Sequence, residues 1–249
     1  MWKKYTFIIF FFVCTSCPVV FSEESPRQGL FEVEAGALFT NNMLLSGYNQ
    51  ANATSDWDSF APTARLEYWS VKKDGWNYGV VAQPLFASYS GTLSSDFNTD
   101  ESEYKKNESG SLSYQFHTLR GTANYPIVTS ADKKSYLRVG GSLVTRYVDI
   151  KFKAGQESFQ RSGFIAFPVA NFEGELFLDS DYSLFTRTDF FPASGGEGLY
   201  DSLIAVRNHF DTSSVDFGVR LFFGGYDPDE EGKFANKIFY TGAVIRYLW

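Results

Sequence analysis

From Leu30 to the C-terminus the chain alternates apolar and polar residues in runs of about ten, the two-residue period of β-strands whose faces meet different surroundings. Leu30 to Thr40 sends Phe31, Val33, Ala35, Ala37 and Phe39 one way and Glu32, Glu34 and Gly36 the other. Thr63 to Val71 sets Ala64, Leu66 and Tyr68 against Thr63, Arg65 and Glu67. After the turn Lys72-Lys73-Asp74-Gly75, the run Trp76 to Ala87 projects Trp76, Tyr78, Val80, Ala82 and Phe86 outward. Leu112 to Tyr125 opposes Leu119, Ala123 and Tyr125 to Arg120, Thr122 and Asn124, with Tyr114 and Phe116 out of phase, which predicts a bulge. Tyr136 to Val148, Phe167 to Leu178, Tyr182 to Phe190, Asp201 to Phe210, Val215 to Phe223 and Phe239 to Trp249 complete the series.

Short turns at Ser130 to Lys134, Asp179 to Asp181 and Asp211 to Ser214 alternate with longer polar connections, including one through Gly155 that leads to Phe167. About ten strands joined in this way place both termini at the short-turn end. The stretch Ser88 to Ser111, rich in Ser, Asp, Glu, Asn and Lys, is expected to face solvent. A soluble β-sandwich alternates too, but it buries its apolar face and wets its polar one. Here the polar face holds mid-strand charges that a core rejects, and the apolar face is continuous and rich in aromatics. The pattern therefore predicts an all-β chain, a transmembrane antiparallel up-and-down β-barrel of about ten strands, with eight or twelve as the adjacent solutions.

Lysines and arginines are segregated. The ten lysines after residue 22 fall in turns, loops or strand ends, whereas Arg65, Arg120, Arg138, Arg146, Arg187, Arg207, Arg220 and Arg246 sit mid-strand on the polar face. The same face holds Glu32, Glu34, Glu67, Glu173, Glu175, Asp189 and Asp216. The planar guanidinium forks onto carboxylates away from bulk water, while the ammonium is more strongly hydrated. Near-equal counts of opposite charge facing a narrow lumen predict a network that holds it shut. A selective ion path requires one sign to dominate a constriction.

Composition adds that aromatic residues make up 18% of the chain, with 26 Phe and 15 Tyr, a usage suited to strands and interfacial girdles. The first 22 residues read as an export signal: Lys3 and Lys4, an apolar run from Thr6 to Val13, and Val20-Phe21-Ser22 before a cut at Glu23. Both cysteines, Cys14 and Cys17, lie within it, so the mature chain is expected to be free of disulfides and Cys-based metal sites. Lipidation at Cys17 is the competing fate. Residues 23–249 then form a single barrel domain with 20 basic against 29 acidic residues, a balance of about −9 that argues against nucleic acid as a partner.

The alternating strands, the leader and the ending Ile245-Arg246-Tyr247-Leu248-Trp249 together resemble small bacterial outer-membrane β-barrel proteins over residues 30 to 249. In that class the barrel-assembly machinery reads a terminal aromatic preceded by apolar residues at alternate positions. Trp249, Tyr247, Ile245, Ala243 and Phe239 match it, and Thr241 departs from it. The resemblance implies a bacterial outer-membrane location, contact with outer-membrane lipid and passage through that machinery. Recognition of an extracellular ligand would fall to the loops, whose longest tips are Gly47 to Ser55 and Ser95 to Ser109.

Ten strands also resemble the omptin proteases, which implies an acidic pair and an Asp-His pair at the rim. Asp56-Trp57-Asp58 offers two acids, but Arg207 and Asn208 precede His209, so the Asp expected two residues before the His is missing and general-base activation of water lacks its partner. His209 reads as a lumen residue near a turn. His117 has no accompanying Ser or carboxylate pattern for acyl transfer and reads as polar lining. Asp227 to Gly232 begins like a calcium loop, but its twelfth position is Ile238 and not Glu. The expectation is a non-enzymatic barrel without metal or cofactor, serving envelope structure or surface interaction. A narrow passive channel is the first alternative and an omptin-like or lipid-modifying rim hydrolase the second.

Overall fold

A computed structural model describes residues 28–40, 43–46, 57, 59–72, 75–99, 102–132, 134–191, 199–226 and 235–249, so the expected leader, residues 1–22, lies outside the described residues. The described elements are β1 (Gln28–Thr40), β2 (Met43–Ser46), β3 (Ser59–Val71), β4 (Asn77–Thr92), β5 (Phe97–Asn98), β6 (Glu103–Tyr104) and β7 (Ser109–Thr129), followed by β8 (Tyr136–Ala154), β9 (Glu157–Phe177), β10 (Tyr182–Phe191), β11 (Leu199–His209), β12 (Ser214–Tyr226) and β13 (Ala235–Leu248). Ten of them close into one antiparallel up-and-down barrel, in the order β1-β3-β4-β7-β8-β9-β10-β11-β12-β13 and back to β1. Closure runs from Glu32 opposite Leu248 to Phe39 opposite Thr241, and Phe31 and Trp249 exchange main-chain hydrogen bonds of 2.9 and 3.0 Å at the short-turn end. Over its short-turn half each strand of the ring is paired on both sides, whereas β4 beyond Leu85 and β9 before Ala170 have a described partner on one side only, β7 and β8 respectively.

The wall is apolar outside and polar inside over its short-turn half. Leu66, Leu119, Leu143, Ile204 and Ile245 are all more than half exposed, while the charged residues between them in sequence are buried in the lumen. Aromatic rings rim this band. Phe190, Tyr200, Phe223 and Phe239 form one cross-strand row near the long-loop end, and Phe31, Tyr68, Trp76, Tyr125, Tyr247 and Trp249 ring the other end. Phe239 and Tyr247 are eight residues apart on β13, which at a tilt of about 40° is a height of about 20 Å.

The structure corrects the expected layout in three places. The connection through Gly155 is a two-residue turn, Gly155 (φ +57°) and Gln156, and β9 begins at Glu157, so a short turn stands at the long-loop end and strict alternation fails there. β7, β8 and β9 consequently run for 21, 19 and 21 residues, well past the aromatic rows. Second, β4 and β7 pair without interruption from Asn77 opposite Asn124 to Thr92 opposite Ser109, so Tyr114 and Phe116 are not bulged. The register shift lies at Pro126 to Val128, where proline has no N–H for the ladder. Third, the polar stretch Ser88 to Ser111 is not wholly solvent-facing, because Leu93 and Tyr104 turn inward and are fully buried.

The second and third corrections share a cause. At the row Pro84-His117-Tyr147-Phe164 the polarity of the wall inverts. Beyond it Leu85, Tyr89, Leu112, Tyr114, Phe116, Val148, Ile150, Phe152 and Phe159 face in and are buried, while Ser88, Ser111, Lys151, Lys153, Ser158 and Gln160 face out. The two-residue period continues unbroken, but the apolar set changes sides, as in an ordinary water-exposed sheet.

Candidate functional site in the lumen

In the short-turn half the lumen is crossed by ion pairs. Arg187 of β10 meets three carboxylates, Glu173 at 2.7 Å, Glu67 at 2.5 Å and Glu32 at 3.3 Å. Arg246 contacts Glu32 at 3.0 Å and Asp216, and Arg207 grips Asp216 with Nε and Nη2 while Nη1 reaches Glu175 at 2.9 Å. Arg220 forks onto Glu34 through Nε at 2.9 Å and Nη2 at 2.6 Å, and its Nη1 reaches Asp201. Arg65 joins Glu67 at 2.6 Å and Asp201 at 3.1 Å, Arg120 pairs with Asp189, and Arg138 meets Glu173 at 2.8 Å. Three of these guanidiniums, of Arg187, Arg207 and Arg246, cap the ring of Phe185 at 4.2 to 5.3 Å.

Such a lattice works as a unit. Each buried ion is costly to desolvate, and only several close partners in fixed geometry offset that cost. Arg187 and Glu67 stand on strands five places apart in a ring of ten, so their bond spans the full diameter.

Sequence reading left Asp201 and three asparagines out of this network. Asn77 donates to Asn124, Asn124 to Asn171, and Asn171 to Asp189, at 3.3, 3.2 and 2.8 Å. The ladder steps from β7 to β9 across Gly140 of the intervening β8, where a Cβ would collide with the Ala123 carbonyl oxygen and with Asn124. The signal was available, since Asn77, Asn124 and Asn171 alternate with outward apolar residues. Neutral amides simply stand out less than charges.

Arg146 faces the lumen, yet no carboxylate lies within ion-pair distance of it among the described residues. Its guanidinium lies 3.7 Å over the Phe116 ring, with Phe222 at 5.5 and Phe167 at 5.6 Å, and its Nε donates to Thr118 at 3.3 Å. It belongs to the long-loop half, which is filled by aromatic and aliphatic side chains. There Phe116 of β7 meets Phe222 of β12 edge to face at 5.7 Å, again across strands five places apart. Trp57 enters from the first long connection, stacks on Phe152 and donates its indole N–H to the Thr92 carbonyl at 3.0 Å. Its ring fills a notch between Gly91 and Gly110, paired across β4 and β7, where a Cβ at either position would fall within 3 Å of the indole.

The remaining candidates are placed as follows. Asp56, Asp58 and Asp227 to Gly232 lie outside the described residues. His117 is not lumen lining. It faces outward between Phe86 and Tyr147, in the aromatic row. His209 sits at the short-turn end with Ser183 Oγ 2.9 Å from Nε2 and Ser214 Oγ 3.2 Å from Nδ1. Ser183 is fully buried and its hydroxyl proton is already donated to Glu175 at 2.7 Å, so Nε2 has no proton to withdraw from that hydroxyl. Phe239, Ala243, Ile245, Tyr247 and Trp249 share the outward face of β13. Among the described residues no cluster of His, Cys, Asp and Glu is arranged to hold a metal ion.

No family model and no curated protein matches the sequence. Among solved structures, the transport unit of the autotransporter AIDA-I from Escherichia coli is similar at a TM-score of 0.51, with 8% identity over 94% of this chain and 92% of that one. Ail, the attachment invasion locus protein of Yersinia pestis, gives a TM-score of 0.39 with 8% identity over 88% of this chain and 99% of that one. The outer membrane protease OmpT from Escherichia coli gives 0.34 with 9% identity over 92% and 99%. Closed ring, inside-out wall and the likeness to the AIDA-I transport unit agree: the chain has the closed ten-strand antiparallel barrel fold of bacterial outer-membrane proteins.

Proposed function

We propose that this protein is an integral outer-membrane barrel with a closed lumen, serving envelope structure or surface interaction through its long-loop end. The apolar band rimmed by aromatic rows suits contact with membrane lipid, with the short turns in the periplasm. The observation that carries the reading is the Arg187–Glu67 bond across the full diameter. No solute passes that level without breaking a buried ion pair, which costs about 3–5 kcal/mol. The outward residues of β13 would be read by the assembly machinery, and recognition would belong to the loops.

Planar-bilayer recording on refolded protein tests the closed lumen, which predicts a silent bilayer. Reproducible conductance steps would favour a narrow passive channel instead. The reading is non-enzymatic, and a peptide and lipid turnover assay of the native protein beside Asp58→Asn and His209→Ala is expected to give no turnover. Turnover lost in both variants would establish a rim hydrolase.

A further inference from the structure

The outer face of the protruding sheet has a chemistry that a closed, passive barrel does not call for. Above the row Pro84-His117-Tyr147-Phe164, β4, β7, β8 and β9 present two outward cross-strand rows. The first is Ser88, Ser113, Lys151 and Gln160, and the second runs from Ser90 through Ser111 and Lys153 to Ser158. These rows, apart from Ser90, line a cleft of about 670 Å³ together with Arg161 and the largely buried Tyr89, Leu112, Phe152 and Phe159, so its outward polar side chains are hydroxyls, one amide and two ammonium groups. Beside it Asp149 is almost buried and already accepts from Gln160 at 2.7 Å and pairs with Lys151 at 3.5 Å. Lys153 has no ion-pair partner among the described residues.

Position narrows the ligand. Lys151 and Lys153 lie four and six residues beyond Tyr147 on β8, about 10 and 15 Å above the aromatic row at a strand tilt of about 40°. That is where lipid headgroups stand against the wall of a barrel whose apolar band ends at Tyr147. Hydroxyls and an amide suit sugar oxygens, and the two ammonium groups suit phosphate, in a chain whose overall charge is −7 and would otherwise repel anions. We infer that this cleft binds the phosphorylated sugar headgroup of a glycolipid in the long-loop leaflet. The inference rests on the outer-membrane reading.

The test begins with protein refolded into phosphatidylcholine vesicles, where a heat-modifiable gel shift reports insertion. Failure to insert removes both readings. With insertion established, the folded protein is moved to detergent micelles and its retention of diphosphoryl lipid A is titrated by native mass spectrometry. The variant Lys151→Gln/Lys153→Gln is expected to bind roughly thirtyfold more weakly, equivalent to about 1 kcal/mol for each lysine. Ser111→Ala/Ser113→Ala weakens binding by a smaller factor, and Lys134→Gln, at the opposite end, leaves it unchanged. Equal retention by the native protein and the lysine variant, or of the dephosphorylated lipid, overturns the inference while leaving the barrel intact. Glucosamine 1-phosphate binding as tightly as the lipid would overturn it in favour of a soluble phosphosugar.

Discussion

Arg187 and Glu67 bridge the lumen near the short turns; Phe116 and Phe222 bridge it near the long loops. Both pairs join strands five places apart in the ring. Around the first, each guanidinium is matched to one or more carboxylates, and removing one member strands ions away from water. Around the second, ring contacts are non-directional and the filling behaves like a soluble core, stabilised by roughly 25 cal/mol for each Å² of apolar surface buried. Outside the charged half the wall is apolar; outside the aromatic half it is polar. Each filling is the complement of its surroundings, since a wall apolar on both faces would not direct its own orientation and one polar on both would have no core.

The contrast can be broken most severely at Arg187. Arg187→Met leaves Glu32, Glu67 and Glu173 short of a shared partner and is expected to destabilise the folded barrel by about 3–5 kcal/mol, read by urea titration in vesicles. A loss under about 1 kcal/mol would mean that the charged half is not a cooperative unit. Trp57→Ala empties the Gly91–Gly110 notch and should cost about 3 kcal/mol at the long-loop end, with faster proteolysis of the first long connection. Gly140→Ala forces a methyl group into the asparagine ladder and is expected to cost about 1–3 kcal/mol in the same titration. Arg146→Met sharpens the contrast from the other side. This arginine has aromatic neighbours in place of acids, so the apolar replacement should change stability by no more than about 1 kcal/mol. A penalty as large as that of Arg187→Met would show that it has an acidic partner in the folded protein.

Much of the barrel was legible because the strand period is strict. Glu34, Arg65 and Asp216 could be assigned to one face without knowing what lay across from them. Legibility failed where the surroundings changed along a strand. Tyr114 and Phe116 keep perfect phase with Arg120 and Asn124, but their polarity is reversed, and in a linear sequence a change of side looks the same as a change of register. The run from Glu157 to Ala166 falls within a connection in the sequence pattern for the same reason: its outward residues are Ser158, Gln160 and Ser162, polar like those of a loop.

By itself the sequence determined that strands alternate, that arginines and acids share one face, and that the opposite face is apolar and aromatic. Those are local properties, set by side-chain direction along an extended backbone. Only the closed structure decided which charges meet, because Arg187 and Glu67 are brought together by the ring and not by their spacing in the chain. It also decided that Arg146 leaves the charge network for an aromatic bed, that Asp201 and the asparagines enter it, and that Trp57 packs into the far end. Cross-lumen partners depend on strand count and stagger, which no single strand encodes.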